Sequence, residues 1–413
     1  MNDYKINTKA ELEHFVCVNW NAISNFIDEW QNGQPIPIYS SVDVRESIFK
    51  YAPVDHNMYP AGFNNICSKD LTTCSILFRN AFNGTKKGAV KIGLIPESHT
   101  KNKFYLENIL KLKETIENAG CVVHVISPDS AFFPEESIHL ELEAISGAKV
   151  HVHKVISNQN ELQMISDPKY QFDIIVLNHD QSHPLSVDWK NLVTPVLPSP
   201  FVGWFKRQKI HHFKHYETVA NKFAEHFGIN PDLIQAKFRY SENVDFESKD
   251  GLDSMAQEVD QLISELPKGS SVFVKASQGT YGMGISVVTS GADIIQMNRK
   301  GRNKMDMGKN NLKFTSVLIQ EGIETVVKHE NSPAEVTIYL INGRCGGGFI
   351  RFNPERGTQA NLNSQGMLYQ KLCLSDIQEN HEHKCKEAIY SVIARLSTIA
   401  AAYEIKENSE GNL

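Results

Sequence analysis

The 413-residue sequence has no Cys-x-x-Cys pair, and its seven cysteines are scattered at positions 17, 67, 74, 121, 345, 373 and 385. An odd count without close pairs excludes a zinc ribbon and argues against a disulfide framework. Free thiols in a reducing cytoplasm are the simplest expectation. The sequence also has no run of about 18 apolar residues, so no transmembrane helix is expected. Its longest candidate, 388–403, is interrupted by Ser391, Arg395, Ser397 and Thr398 and reads as a largely buried helix. The first nine residues hold no apolar run, so no secretory signal is expected. Excess positive charge is absent too. The net charge of −6 argues against nucleic acid as the main partner. No Gly-x4-Gly-Lys-Ser/Thr stretch occurs, which excludes a P-loop.

What is present suits a protein with a sizeable core. Hydrophobic residues make up 41% and charged residues 22%, and the length predicts two or three domains. Residues 10–31 have helical spacing, with Thr8 as a cap. Residues 36–66 are weakly periodic but rich in hydrogen-bonding groups, among them Asp43, Arg45, Asp55, Asn57, Asn64 and Asn65. Such a loop-like segment is either a connection or a ligand surface. Arg45 suits a two-pronged grip on a carboxylate, and the paired asparagines suit an amino-acid headgroup.

A strand at 89–97, a helix at about 102–119, a strand at 121–126 and another at 172–178 predict parallel α/β topology. The first strand runs into Pro96-Glu-Ser-His without Gly-x-Gly-x-x-Gly, which makes a dinucleotide site a poor reading. His151, His153, His179 and His183 invite a metal, but Pro184 argues against the helix that would align the last two, and substrate contact is the better reading of 178–183. The proline-rich stretch 194–200 marks a domain boundary. The basic run 204–216 reads as a solvated helix face that could also lend a lysine to a nucleotide. From 298 to 310 a basic loop is expected, either plain or covering an anion.

Residues 271–288 carry the sharpest local signal. Two β-branched runs flank a loop containing Gly279, Gly282 and Gly284, and Lys275 closes the first run. Glycines let backbone N–H groups approach an anion closely, and a lysine can reach a phosphate as a point charge. By itself this is a weak signal that an ordinary hairpin would also produce. The order of the downstream segments is more specific: Ile319-Gln-Glu-Gly-Ile-Glu, an acidic strand at 334–341, Gly346-Gly-Gly-Phe-Ile-Arg, then the asparagine loop 361–366.

That order resembles the ATP-grasp fold. More closely, Val42-Asp-Val-Arg, Pro60-Ala-Gly-Phe-Asn-Asn, Phe273-Val-Lys-Ala-Ser-Gln-Gly, Gly348-Phe-Ile-Arg-Phe and Asn361-Leu-Asn-Ser-Gln-Gly resemble the proteobacterial, ATP-grasp type of glutamate–cysteine ligase over roughly 35–400. The resemblance implies α+β subdomains of an ATP-grasp domain (201–405) preceded by a parallel α/β pre-ATP-grasp domain (86–200). An N-terminal helix and substrate segment (1–85) and a frayed tail (406–413) complete the expected division.

It also implies a cytoplasmic ligase that joins the γ-carboxylate of glutamate to the amine of cysteine through an acyl phosphate. ATP and Mg²⁺, with Mn²⁺ possible, would serve it, and its partners would be small molecules rather than membrane or nucleic acid. Carried over by position, Lys275 holds ATP phosphates, and Gln278 to Gly284 form the flap. Gln320, Glu321 and Glu324 line the adenine and ribose, and Arg351 stabilises the transferring phosphoryl group. Lys209 or Lys214 supplies a second ATP contact, a choice the sequence leaves open. Asp43, Arg45, Asn64 and Asn65 are the expected substrate residues, with Arg45→Ala raising KM for glutamate and sparing ATP. Glu335, Asn361 and Asn363 are the expected metal ligands, although the Glu-x-Asn carboxylate usual in such enzymes is missing. Another carboxylate–amine ligase, or a nucleotide-binding regulator without turnover, is the competing expectation.

Overall fold

A computed structural model of the chain describes residues 4–82, 89–98, 102–242, 244–278, 284–299, 301–302, 316–374 and 384–410. Helices α1 (Lys9–Val18) and α2 (Trp20–Gln31) come first, then strands β1 (Tyr39–Glu46) and β2 (Tyr51–Asn57) and helix α3 (Ser68–Phe82). The next unit holds β3 (Lys91–Pro96), α4 (Lys103–Glu117), β4 (Val122–Ser127), β5 (His139–Glu143), β6 (Lys149–Asn158), β7 (Glu161–Met164), β8 (Ile174–Asn178) and β9 (Val196–Leu197). Helix α5 (Lys209–Phe227), strand β10 (Phe238–Glu242), helix α6 (Lys249–Ser264), strands β11 (Val272–Ala276) and β12 (Ile285–Val288) and helix α7 (Gly291–Ile295) come next. Strands β13 (Ser316–Glu321), β14 (Lys328–His329), β15 (Ser332–Ile341), β16 (Arg344–Phe352) and β17 (Leu368–Leu372) lead to the long helix α8 (Lys384–Glu410).

The strands form three sheets. In the first, β3, β4, β6, β8 and β9 pair in parallel, with β5 and β7 antiparallel on β6. This is the parallel α/β unit expected from the sequence. A four-stranded antiparallel sheet has the order β10-β13-β11-β12, and it contains the expected pair of strands around the glycine loop, with Lys275 opposite Ile285. Gly279 and Gly282 lie outside the described residues, as does most of the basic loop 298–310. The third sheet runs β17-β16-β15-β1-β2, with β14 on β15.

The third sheet corrects the expected division of the chain. Residues 1–85 do not stand as a unit, because β1 pairs antiparallel with β15, placing Asp43 opposite Thr337. Local pattern could not show a pairing across nearly 300 positions, since each strand satisfies its own period-two alternation wherever its partner lies. That alternation sets the two faces. Val42, Val44, Val336, Ile338 and Leu340 enter a core shared with α1, α2, α5 and α8. Asp43, Arg45, Glu335 and Arg351 occupy the opposite face. In the four-stranded sheet, Val272, Val274, Val317 and Ile319 pack on α6, which turns Phe273, Lys275 and Gln320 the other way. The two polar faces meet across a pocket.

The expected single helix at 10–31 is broken at Asn19, although Thr8 does cap α1, in a box with Glu11. Of the tail expected to fray, 406–413, residues 406–410 continue α8, and 411–413 lie outside the described residues. Glu404 explains why the helix does not stop: it is buried and takes two bonds from Arg207, at 2.7 and 3.1 Å, while His212 lies 3.3 Å away. The basic run 204–216 is likewise not a solvated face, since Arg207, Lys209 and His212 are buried. Helix α8 is long and apolar enough to cross a membrane, but 94% of its apolar window is buried inside the protein.

Burial alone would raise the Glu404 carboxyl, but Arg207 and His212 outweigh it and hold the group at about 2. A depressed carboxylate stabilises the fold above its unfolded value of about 4.5, and that contribution disappears as pH falls toward 2. Glu404→Gln leaves Arg207 buried without its counter-ion, at an expected cost of about 3–5 kcal/mol near neutral pH. Thermal melts at stepped pH check this: the gap between wild type and variant should be widest above pH 5 and close in acid.

The cysteines depart from the expectation of free thiols. Cys67 and Cys373 form a disulfide with Cα atoms 5.6 Å apart, and Cys17 is also disulfide-bonded. Cys74, Cys121 and Cys345 are free. Spacing in the sequence carried no hint, because the bonded pair is separated by 306 positions and only the fold brings them together.

Candidate active site

The pocket between the two polar faces is a partly open cleft lined from both sheets. One part is apolar, lined by Val54, Phe273, Ile285 and Ile323. The rest is charged. Lys275, on the pocket face of β11, is buried and donates to the Val54 carbonyl and to Gln320 Oε1, both at 2.7 Å. Burial, helped by Lys209 and Arg45, lowers its ammonium to about 8, against the opposing pull of Asp55 and Glu335.

Lys209 begins α5 and is anchored by its N–H to the Ser277 carbonyl, next to the start of the glycine loop. Its ammonium bonds Asp55 at 2.6 Å. Burial would raise Asp55, but Lys209 and Lys275 hold it at about 2. The two lysines between which the sequence left the choice open differ in position. Lys209 lines the pocket, whereas Lys214 stands 3.9 Å from the Tyr240 ring centre and does not line it.

Arg351 reaches from β16. One nitrogen, Nη1, donates to Asp43 and to Glu335, both at 2.8 Å, while the buried Nε has no partner among the described residues. Burial would lower the guanidinium, but the two carboxylates raise it well above its ordinary value. Burial also raises Asp43 despite Arg351, whereas Arg45 and Arg351 together outweigh burial at Glu335 and lower it.

Arg45 grips a carboxylate, as its residue type suggested, but here the carboxylate is Glu335, at 2.8 Å. Its other nitrogens donate to the carbonyls of Ile323 and Ala360 at 3.2 and 2.8 Å. It therefore ties β1 to the loop that carries Asn361 and Asn363, both of which line the pocket. Arg45→Ala is expected to lower kcat by about tenfold to a hundredfold through displacement of that loop, and to raise the metal concentration needed as well as KM for glutamate. Steady-state kinetics over a metal titration check this; a raised glutamate KM alone would return Arg45 to direct substrate contact.

Gln320 and Glu321 line the pocket, with Glu321 bonded to Lys50 at 2.9 Å and Gln320 Nε2 without a partner among the described residues. Glu324 does not line it. This residue is exposed and accepts from Thr358 at 2.7 Å. Gln278 is half-buried at the start of the flap, and Gly284 at its end has φ +64°. Asn64 and Asn65 also stand outside the pocket lining, bonded to each other at 3.3 Å. They come after Gly62, whose φ of +117° and approach to the Tyr339 hydroxyl leave no room for a Cβ. The Asn108 carboxamide holds this turn by accepting from the Gly62 and Phe63 N–H groups at 2.8 and 3.0 Å. The turn therefore lies over β15 and β16, the strands that carry Glu335 and Arg351.

Asp55 is the pocket residue that sequence reasoning missed. The signal was available: Asp55 and Asn57 share one face of a strand directly after Asp43 and Arg45. Another acidic group, Glu97 with His179 and Asp180, is buried at the ends of β3 and β8. There His179 Nδ1 accepts the Gln181 N–H at 3.1 Å, which leaves the proton of a neutral ring on Nε2. That tautomer does not ligate a metal through Nε2.

Two buried lysines beside an apolar slot, with an arginine aimed at the same space, suit a triphosphate lying end to end with a carboxylate. The class of protein this describes is an ATP-dependent carboxylate–amine ligase. A family model described as glutamate-cysteine ligase matches residues 13–405, and the chain belongs to that family. It is an ATP-dependent enzyme that joins glutamate to cysteine for glutathione biosynthesis. Among solved structures it is similar to a protein of Methylobacillus flagellatus provisionally named gamma-glutamylcysteine synthetase, with 31% identity, a TM-score of 0.85 and 96% of each chain covered. A distant match, carboxyaminoimidazole ribonucleotide synthase from Aspergillus clavatus complexed with ATP, has 11% identity and a TM-score of 0.31 over 73% of this chain and 63% of that one, a likeness too slight to bear on the site. Among curated proteins, none matches.

Proposed function

We propose that this pocket forms γ-glutamyl phosphate from L-glutamate and ATP and passes the acyl group to L-cysteine. The observation that carries the reading is the convergence of Lys209, Lys275 and Arg351 on one pocket. An oxygen of the γ-carboxylate attacks the γ-phosphorus, and ADP leaves. The cysteine amine then attacks the acyl carbon; phosphate leaves with the former carboxylate oxygen, and the nitrogen gives up a proton. Lys209 and Lys275 hold phosphate oxygens, and the apolar slot with Gln320 and Glu321 takes the adenine and ribose. Arg351 offers its unpartnered nitrogen to the charge that develops on the phosphoryl and acyl oxygens. Asp43 and Glu335 keep that guanidinium in place.

The donors around the pocket are all oxygens, from Asp43, Asp55, Glu335, Asn361 and Asn363, which fits a hard divalent cation such as Mg²⁺, or Mn²⁺. Glu335, Asn361, Asn363 and Asp55 would hold it, and when bound it neutralises phosphate charge. Asp55, on β2, supplies the carboxylate missing from a Glu-x-Asn triplet. ATP as substrate points to the cytoplasm. The test is phosphate release from ATP and Mg²⁺ with glutamate, with cysteine and with both. Release that requires both, with a γ-linked product, supports the reading. Turnover with other pairs, or nucleotide binding without turnover, would overturn it.

A further inference from the structure

Three of the four pocket cations are paired with carboxylates, and the fourth, Lys275, bonds neutral oxygens. Lys209 is matched by Asp55, Arg45 by Glu335, and Arg351 by Asp43 and Glu335. Apart from Lys275, a triphosphate entering this pocket meets cations that are already engaged by carboxylates. The three carboxylates are not equivalent. Asp43 and Glu335 have side chains only 4% exposed, and both oxygens of each accept hydrogen bonds. The Asp55 side chain is 26% exposed and spends one oxygen on Lys209, itself 7% exposed. Asp55 also stands directly opposite Asp43 across β1 and β2, and Lys275 bonds the carbonyl of the residue before it. It is thus the accessible acid among buried ones, set between the two lysines that face the phosphates. Two further residues of the pocket lining, Arg351 and Gln320, each bury a nitrogen, Nε and Nε2, that has no partner among the described residues.

We infer that Asp55 makes nucleotide binding conditional on a divalent cation: its carboxylate holds Lys209 until a cation takes the carboxylate over and frees the lysine for the phosphates. The inference rests on the ATP and metal reading above. Exchange of partners leaves neither Lys209 nor Asp55 unpaired, because cation and triphosphate enter together. Metal-free ATP has no such route. It must either displace Asp55 from Lys209 or lie beside an unneutralised carboxylate, and both disfavour it. Asp55 therefore lowers affinity for the free nucleotide and contributes to affinity for the metal complex.

The consequence runs against the usual effect of removing a site residue. Asp55→Asn keeps shape and hydrogen bonding but frees the Lys209 charge. Equilibrium binding of ATP, measured by calorimetry in EDTA and again in saturating Mg²⁺, reads the effect without turnover. The variant is expected to bind metal-free ATP at least about tenfold more tightly than wild type, a gain of about 1.4 kcal/mol, and to lose most of the tightening that Mg²⁺ brings. In the double variant Asp55→Asn with Lys209→Gln the gain should vanish. Asp55→Ser, smaller and uncharged, should repeat the gain, which guards against a fold defect peculiar to one variant. Wild type that binds ATP with Mg²⁺, beside an Asp55→Asn protein no tighter than wild type in EDTA, overturns the inference alone. So does a gain that survives loss of Lys209. Wild type that binds no ATP even with Mg²⁺ overturns the nucleotide reading, and the inference with it.

Discussion

Arg351→Lys is expected to lower kcat by about two to three orders of magnitude while ATP affinity stays within a few-fold of wild type. The reason lies in how the arginine divides its nitrogens. Nη1 alone satisfies both Asp43 and Glu335, so the rest of the planar fork remains for a ligand. Lysine can replace Nη1 as a point charge between the carboxylates, which keeps the buried acids paired and the strands in register. It cannot also present a second nitrogen in a fixed plane to the phosphoryl and acyl oxygens. The deficit should therefore appear in the chemical step. Arg351→Ala is a poorer probe, because it leaves two buried carboxylates without their shared cation and lowers stability as well. Steady-state kinetics with ATP titration separate the effects; a kcat within about threefold of wild type would remove Arg351 from the chemistry.

Lys275→Met should weaken ATP binding by about tenfold to a hundredfold, the scale of a lost charge-assisted bond in a buried site. Wild type should also show a pH dependence that the variant lacks. With the ammonium lowered to about 8, Lys275 is largely protonated at pH 7 and neutral above pH 9. The anionic nucleotide favours the protonated form, so ATP binding raises this value and takes up a proton near pH 8. Affinity should then fall as pH rises through 8, and the measured heat should vary with the ionisation enthalpy of the buffer. Calorimetry in two buffers at pH 8 checks both points. Equal heats in both buffers, or a pH slope that persists in Lys275→Met, would contradict the assignment.

The pocket floor was legible where local pattern and chemistry coincide. The strands β11 and β12, the lysine near the end of the first, and the Gln320–Glu321 crossing all stem from short-range alternation. Position in the ordered set of strands, together with the family resemblance, brought in Asp43, Arg45, Glu335 and Arg351. Much less could be read where function depends on long-range pairing. Nothing local says that β1 lies beside β15, so residues 1–85 read as an N-terminal helix and substrate segment rather than as supplying two strands of the pocket's sheet. The same limit hid the Arg207–Glu404 pair, which draws part of the basic run and the start of the polar tail into the interior. It also hid the Cys67–Cys373 bond. Arg45 shows a different limit: its residue type predicted a carboxylate partner, but only the fold reveals that the partner is the protein's own Glu335. Asn64 and Asn65 are held in a turn over β15 and β16 and do not line the pocket, which leaves their contact with glutamate as a proposal.

Everything proposed for the pocket depends on one chemical event, activation of the γ-carboxylate of glutamate as an acyl phosphate between the two sheets. Glutamate labelled with ¹⁸O in its γ-carboxylate reports on that event, with the released phosphate analysed by mass spectrometry. One labelled oxygen is expected in each phosphate formed per γ-glutamylcysteine. Phosphate that carries no label, at full turnover with both amino acids present, would mean that no acyl phosphate forms.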